Sequence, residues 1–189
     1  MAEKPSNKVG AEEARQILAG ADLIHDAETV GRAIDQLAED LTAAVGQDNP
    51  LVLCVMTGGV VLTGQLLPKL AFPLEFDYLH ATRYRQGTSG STLSWRAAPW
   101  TNVRDRCVLV LDDILDQGIT LAAVKNRILQ MGAARCVCAV LADKECSEAR
   151  PVAADFAALK VPDRYVFGMG MDIYGAWRNL PAIYALKDG

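Results

Sequence analysis

Residues 107–121 read Cys-Val-Leu-Val-Leu-Asp-Asp-Ile-Leu-Asp-Gln-Gly-Ile-Thr-Leu, and this stretch decides the fold. Its apolar part, 108–111, is typical of a strand buried on both faces, as in a parallel sheet. The strand is predicted to end at two carboxylates, Asp112 and Asp113, and to lead through a turn into a helix. Apolar residues recur there at spacings of three, four and three: Leu121, Val124, Ile128 and Met131.

The turn before that helix is predicted to bind an anion. The first N–H groups of a helix are free, and its dipole is positive at that end, so phosphate is the usual occupant. Gly118 lets the backbone come close, and Thr120 is predicted to cap the helix and to donate a hydroxyl. Upstream, Asp112, Asp113 and Asp116 repel one another unless hydroxyls or a metal ion satisfy them. A phosphorylated sugar with Mg²⁺ meets both demands.

The segment 108–120 resembles the phosphoribosyl pyrophosphate (PRPP) motif of type I phosphoribosyltransferases, above all that of the hypoxanthine-guanine phosphoribosyltransferases of purine salvage. The resemblance implies an α/β fold with a mostly parallel central sheet flanked by helices. It also implies a small hood formed by the N- and C-terminal segments. Gln117 departs from the family, which usually has Thr or Ser there. A phosphate loop built from backbone N–H groups tolerates this, with the loss of one hydroxyl donor.

The same resemblance assigns roles within the motif. Asp112 and Asp113 are expected to hold the ribose hydroxyls and, through water, Mg²⁺. Asp116 is expected to be the catalytic residue, a general base for the purine N7 proton. The 5′-phosphate is expected to lie against five residues: Asp116, Gln117, Gly118, Ile119 and Thr120.

A second turn is predicted after the apolar strand 51–56, where Thr57-Gly58-Gly59 precedes a helix over 60–70. The later residues exclude a Walker A site, because Gln65 and Leu66 stand where Lys and Ser or Thr would be. The turn instead resembles the pyrophosphate loop of the same family, which implies that Thr57 and Gly58 bind pyrophosphate. That loop commonly has Lys at the position of Thr57 and a cis peptide before it, so Met56–Thr57 is a cis candidate. A plain tight turn is the alternative.

Residues 82–102 are rich in Gly, Ser and Thr and follow a strand predicted over 74–78. A connection this long is functional or disordered in most compact domains. It occupies the place of the family's mobile catalytic lid, with Arg83 and Tyr84 as the matching pair and Arg where Ser is usual. The implied role is to exclude water from a reactive cation; a solvated loop is the alternative. His80, just before it, is interpreted as structural.

The base-binding residues are predicted nearer the C-terminus. An apolar strand over 136–141 ends at Asp143-Lys144, and segment 161–172 resembles the family's base-binding segment. The resemblance implies that Lys144 donates to the purine O6, that Tyr165 stacks on the base and that the Val166 backbone reads its edge. Read alone, Lys144 is also compatible with a surface lysine and Tyr165 with a core tyrosine.

The metal and the leaving group are assigned to the same C-terminal region. The resemblance implies that Asp172 binds the Mg²⁺ that bridges pyrophosphate, together with Asp112 and Asp113. Arg178 is expected to clamp pyrophosphate. Residues 181–186 are predicted to form a last edge strand.

Composition limits the classes of partner. The 189 residues predict a single domain, and a net charge of −4 argues against nucleic acid bound by bulk electrostatics. No apolar run approaches a membrane span, and the N-terminus lacks the apolar core of a signal peptide. Five cysteines without a C-x-x-C pair indicate reduced core thiols. The expected location is the cytoplasm, and relatives imply a homodimer or homotetramer.

The favoured function is therefore conversion of hypoxanthine or guanine and PRPP to IMP or GMP and pyrophosphate. Two alternatives stay open. One is a xanthine-preferring purine phosphoribosyltransferase. The other is a PRPP-sensing regulator with the same fold that binds RNA, although such a protein should carry a basic face.

Overall fold

A computed structural model describes residues 8–85 and 91–187, with the side chains of 82–85 and 91–93 outside the description. The helices are α1 (Ala11–Gly20), α2 (Ala27–Val45), α3 (Val60–Leu66), followed by a 3₁₀ turn (Leu67–Lys69), and α4 (Ile119–Gln130). The strands are β1 (Asp22–His25), β2 (Leu51–Met56), β3 (Glu75–Arg85), β4 (Ser91–Ala97), β5 (Cys107–Leu115), β6 (Arg135–Lys144), β7 (Phe156–Val161), β8 (Val166–Phe167) and β9 (Ile183–Ala185).

The main sheet has six strands in the order β4-β3-β2-β5-β6-β7. All neighbours are parallel except β3 and β4, which are antiparallel. The predicted α/β class with a mostly parallel sheet is confirmed. Because β2, β5 and β6 run in the same direction, their carboxyl ends share one edge, where open α/β folds bind ligands.

The central strand β5 is buried on both faces, as its unbroken apolar run predicts. Val108 and Val110 pack with α4 residues such as Val124. Leu109 and Leu111 pack on the opposite face, where α2 and α3 contribute apolar side chains. Burial on both sides fixes β5 firmly, and with it the position of the turn that follows.

A second sheet of three strands, in the order β1-β9-β8, joins the two ends of the chain into the predicted hood. Arg164 donates to Asp22 at 2.7 Å, and the Trp177 indole donates to the Ala14 carbonyl at 2.6 Å. The prediction that 181–186 forms an edge strand is wrong. β9 is central, because β1 and β8 pair with its two sides.

Two strands are longer than their sequence patterns predict. The sequence predicts that β5 ends at Asp112 and Asp113, but Ile114 and Leu115 continue the pairing with β6. β3 continues to Arg85 and pairs with β4, so much of the predicted loop 82–102 is a β-hairpin. Backbone pairing with a neighbouring strand outweighs the polar local composition in both cases. Residues 86–90 lie outside the described residues.

Candidate active site

The shared sheet edge holds a cavity of about 300 Å³ between the two predicted turns. Thr57 and Gly58 line it on one side, and Asp116, Gln117 and Gly118 line it on the other. It is also lined by Asp112, Asp113, Thr120, His80 and Arg178. The structure therefore brings the motif after β5 and the turn after β2 to one site, as predicted.

Two adjacent carboxylates form the floor of the cavity. Asp112 is buried, and burial raises its pKa well above the usual value, with the charge of Asp113 adding to the effect. Burial also raises the pKa of Asp113, although Arg178 opposes it. Each carboxylate accepts one backbone N–H at 2.9 Å, Asp112 from Asp113 and Asp113 from Ile114. Two adjacent acids, one buried and one half-buried, require hydroxyls or a cation nearby.

The turn predicted to bind phosphate, residues 116–120, is called the phosphate turn, and it is shaped by its backbone conformation. Gly118 has φ 74°, a left-handed conformation that favours glycine, and α4 begins at the next residue. The prediction that Thr120 caps this helix is wrong. Gly118 occupies the cap position without a side-chain cap, and Thr120 is the second helical residue. The left-handed turn starts the helix two residues earlier than a Thr120 cap would, and the free N–H groups of its first turn lie beside the cavity.

The turn after β2 packs tightly against that floor. A Cβ added to Gly58 would lie 1.8 Å from an oxygen of Asp113, so a larger residue here would force the turn or the carboxylate to move. A Cβ at Gly170 would lie 2.1 Å from the Gly58 carbonyl oxygen. The Met56–Thr57 peptide bond is cis, as predicted. The backbone around Gly58 is thus held between Asp113 and Gly170.

A second cavity of about 240 Å³ adjoins the first and contains the residues predicted to bind the base. Its lining combines the end of β5 with the hood: Asp113, Ile114, Asp116, Lys144, Tyr165, Val166, Met171 and Asp172. The Lys144 ammonium lies 3.1 Å from an Asp116 carboxylate oxygen. Asp116 lines both cavities, so it lies where the two cavities meet.

Tyr165, Asp172 and Arg178 form a connected group, of which the first two line this cavity and Arg178 lines the first cavity. The Tyr165 hydroxyl donates to the Asp172 carbonyl at 3.3 Å, and its ring lies 6.0 Å from that of Tyr174. One Asp172 oxygen pairs with the Arg178 guanidinium, and the other accepts the Gly175 N–H at 2.8 Å. Arg178 also donates to the Gly170 carbonyl at 2.5 Å. Arg178 is therefore fixed between the hood and the first cavity.

Two predictions for residues of β3 are not confirmed by the structure. Arg83 and Tyr84 lie in β3 by their backbone, but their side chains are outside the description, so the predicted lid contact stays a prediction. His80, interpreted as structural, lines the first cavity, since it pairs in register with Met56 beside the cis bond. His80 lies at the carboxyl edge of the sheet, in the strand next to the one that leads to Thr57. This placement follows from the order of the strands, which the sequence alone does not reveal.

Comparison with known proteins identifies the family. Residues 20–174 match the model of the phosphoribosyl transferase domain. This chain belongs to the phosphoribosyltransferase family. The match covers both turns and the base pocket. Among the helices that the structure describes, none has both the length and the apolar character that crossing a membrane requires.

Relatives of known name share most of the chain. A hypoxanthine-guanine-xanthine phosphoribosyltransferase of Tritrichomonas foetus is 33% identical over 167 residues, which covers 88% of this chain and 91% of that protein. A hypoxanthine-guanine phosphoribosyltransferase of Streptococcus pyogenes is 27% identical, with 88% and 93% covered. Both relatives are named as enzymes and neither as an RNA-binding regulator, so they give no support to that alternative.

Solved structures agree with the fold. A hypoxanthine-guanine-xanthine phosphoribosyltransferase superposes with a TM-score of 0.77 at 31% identity, covering 88% of this chain and 94% of that chain. A hypoxanthine phosphoribosyltransferase of Staphylococcus aureus gives 0.83 at 21% identity, covering 95% and 97%. The second likeness concerns the fold alone. The phosphoribosyltransferase fold predicted from the motif is confirmed.

Proposed function

We propose that this phosphoribosyltransferase transfers the phosphoribosyl group of PRPP to hypoxanthine or guanine, giving IMP or GMP and pyrophosphate. One observation carries the proposal: the Lys144 ammonium lies 3.1 Å from Asp116, where the first cavity meets the second. A donor and a carboxylate side by side match the two polar groups of a 6-oxopurine edge, the O6 acceptor and the N7–H donor.

The base side gives selectivity for an oxo group. Lys144 has only donors, so it would bind the O6 of hypoxanthine or guanine and would oppose the amino group of adenine. Tyr165 would stack on the base, and the backbone of Val166 would read its other edge. Because Lys144 already pairs with Asp116, an arriving base would exchange that ion pair for two hydrogen bonds of its own.

The phosphate side is proposed to bind PRPP mainly through backbone. The N–H groups of the turn Asp116–Thr120 would cradle the 5′-phosphate at the start of α4, and the side chain of Gln117 would add an amide. Thr57, Gly58 and Arg178 would hold the pyrophosphate. Asp112 and Asp113 would accept hydrogen bonds from the ribose hydroxyls.

The residues of the first cavity fit Mg²⁺, which we propose as the cofactor. Asp112 and Asp113 are adjacent acids whose pKa values are raised chiefly by burial, and the charge of Asp113 adds to the rise at Asp112. Within residues 8–85 and 91–187 no three His, Cys, Asp or Glu side chains are grouped as a complete metal site. This suits an ion that takes few carboxylates and completes its shell with substrate oxygens and water. Asp172 fits less well, because both its oxygens are engaged.

Bound Mg²⁺ would neutralise charge on the leaving pyrophosphate. The protein's own contribution is proposed to be orientation and proton handling. Asp116 would take the N7 proton as the base attacks the anomeric carbon. The carboxylates of Asp112 and Asp113 would stabilise the positive charge that develops on the ribose. The hairpin carrying Arg83 and Tyr84 is proposed to exclude water during this step. No covalent intermediate is required.

Assembly and location complete the proposal. We propose a cytoplasmic enzyme that forms a homodimer or homotetramer and acts on small molecules, without a nucleic-acid or membrane partner. Four of its five cysteines are buried free thiols, which suits a reducing compartment.

The decisive experiment incubates the purified protein with PRPP, Mg²⁺ and one of four purines, and quantifies the nucleotide by chromatography. IMP and GMP are expected, and adenine should give no AMP. Xanthine is included because the 33% identical Tritrichomonas foetus relative carries xanthine in its name. XMP as the main product would favour the xanthine-preferring alternative. No product from any purine would reject the proposal.

A further inference from the structure

An ion-pair cluster of Asp143 in β6, Lys160 in β7 and Arg150 lies beside the active site. Arg150 belongs to segment 145–155, which connects β6 to β7. Asp143 is one residue before Lys144 at the end of β6, and successive strand residues face opposite sides of the sheet. Lys144 lines the base cavity. Asp143 faces the other way and pairs with two cations, Arg150 and Lys160. The function proposed above does not use these groups.

The two partners of Asp143 are not equivalent. The side chains of Arg150 and Asp143 are only 16% and 15% exposed, whereas that of Lys160 is 65% exposed. Burial alone would raise the pKa of Asp143, but hydrogen bonds from Lys160 and Arg150 outweigh it and lower that pKa. The carboxylate therefore stays ionised, and its inner partner is Arg150.

Arg150 joins this pair to the phosphate turn. A Cβ added at Gly118 would lie 3.4 Å from the Arg150 Cβ, from Pro151 and from the Val152 carbonyl oxygen, which is ordinary van der Waals distance. The segment that Arg150 anchors therefore passes beside the left-handed Gly118, with room for about one methyl group between them. Cys146, earlier in the segment, reaches the Asp116 carbonyl with its sulfur at 3.9 Å.

The two ends of the segment are held by other contacts. Glu145 donates its N–H to the Val161 carbonyl at 2.8 Å. At the far end, Asp155 accepts the Cys138 N–H at 2.8 Å and pairs with Lys125. The middle of the segment, where it meets Gly118, is held to the sheet by Arg150 on Asp143.

We propose that Asp143 and Arg150 are a positioning pair that holds segment 145–155 against the phosphate turn and so sets the affinity for PRPP; this rests on the function proposed above. Lys144 is held independently by strand pairing with β7. Loss of the pair should therefore weaken binding of the phosphorylated substrate much more than binding of the purine. Neither residue is proposed to touch substrate.

The test compares three variants of the full chain. Arg150→Met removes the inner cation but leaves Asp143 its outer partner, and it should raise the PRPP KM about tenfold through displacement of the turn. The purine KM should stay within about twofold, because Lys144 is held by the strand. Arg150→Lys keeps the charge and should recover part of the loss. The matched control, Lys160→Gln, removes the exposed partner and should stay within about twofold.

A purely structural role would lower the melting temperature and leave the ratio of the two KM values unchanged, and that result would overturn the proposal. So would a Lys160→Gln variant as impaired as Arg150→Met. The dissociation constant of PRPP with Mg²⁺, measured by calorimetry, supplies a readout without turnover. If the wild-type protein binds PRPP but converts no purine, the proposed function fails, while the calorimetric comparison still decides on the positioning pair.

Discussion

The phosphate turn and the base pocket meet at Asp116 but are built in different ways. The turn is local: β5, Gly118 and the start of α4 follow one another in the chain, and backbone groups provide the predicted binding atoms. The base pocket is assembled from distant parts, with Lys144 from the main sheet and Tyr165 and Val166 from the hood. A local site tolerates changes of side chain, such as Gln117, whereas an assembled site depends on each side chain and on the packing beneath it.

The largest effect is expected where the two regions meet. Asp116→Asn should lower kcat about a thousandfold, since the amide cannot take the N7 proton, while the dissociation constant for PRPP stays within about threefold. Steady-state kinetics and calorimetry separate the two quantities. The control is Asp163→Asn. Asp163 and Asp116 both line a third, neighbouring cavity, but Asp163 lines neither the first nor the second cavity. An unchanged kcat would remove Asp116 from the chemistry.

A backbone change on the phosphate side should come next. Gly58→Ala places a Cβ 1.8 Å from an Asp113 oxygen, so the turn or the carboxylate must move, and kcat/KM should fall about a hundredfold. Gly64→Ala is the matched control, since an added Cβ meets nothing within 4 Å on α3. Equal activities of the two variants would show that the turn does not depend on this close approach.

A side-chain change on the base side should be smaller and selective. Lys144→Ala removes the proposed donor to O6 and breaks the ion pair with Asp116, so the KM for hypoxanthine should rise about tenfold while that for PRPP changes about twofold. Lys69→Ala, which breaks a surface pair with Asp35, serves as the control. Equal losses for both substrates would contradict the separation of the two regions.

The smallest effect on activity is expected for a change far from both the phosphate turn and the base pocket. Asp77 accepts the N–H groups of Tyr78, Trp100 and Thr101, each at 2.7 Å, and ties the chain after the hairpin to β3. Asp77→Ala should lower the free energy of unfolding by about 1–2 kcal/mol and leave both KM values unchanged.

The loss of stability in Asp77→Ala should be present near neutral pH and should disappear in acid. Burial alone would raise the pKa of Asp77, but the three N–H donors outweigh it and lower the pKa. A lowered folded-state pKa gives stability that is present above the unfolded pKa of about 4 and disappears as the pH falls through the folded value. Urea titrations should therefore show the wild type and the variant converging in acid. A difference that persisted at low pH would assign it to packing instead.

Sequence reasoning succeeded where structure is local. The apolar run 108–111, the carboxylates and Gly118 predict a strand, a turn and a helix in succession, and the motif alone led to the correct family. The error at Thr120 is also local: a threonine near a helix start suggests a cap, but the left-handed glycine starts the helix before it.

Long-range pairing explains what sequence could not supply. Ile114 and Leu115 extend β5 because β6 offers partners, and no pattern near Asp113 indicates this. β9 is central because β1, from the other end of the chain, pairs with it. His80 reaches the cavity through the order of strands. Such features follow from which strands become neighbours, a property of the whole chain.

The hood has a consequence for folding. The six-stranded sheet is complete within residues 51–161, whereas the hood joins Asp22–His25 to Ile183–Ala185. Because pairing strands so far apart in the sequence requires closure of a long loop, we expect protease resistance to develop in two stages during refolding. The sheet would become protected first, and the hood, with the residues proposed to select the purine, would become protected last.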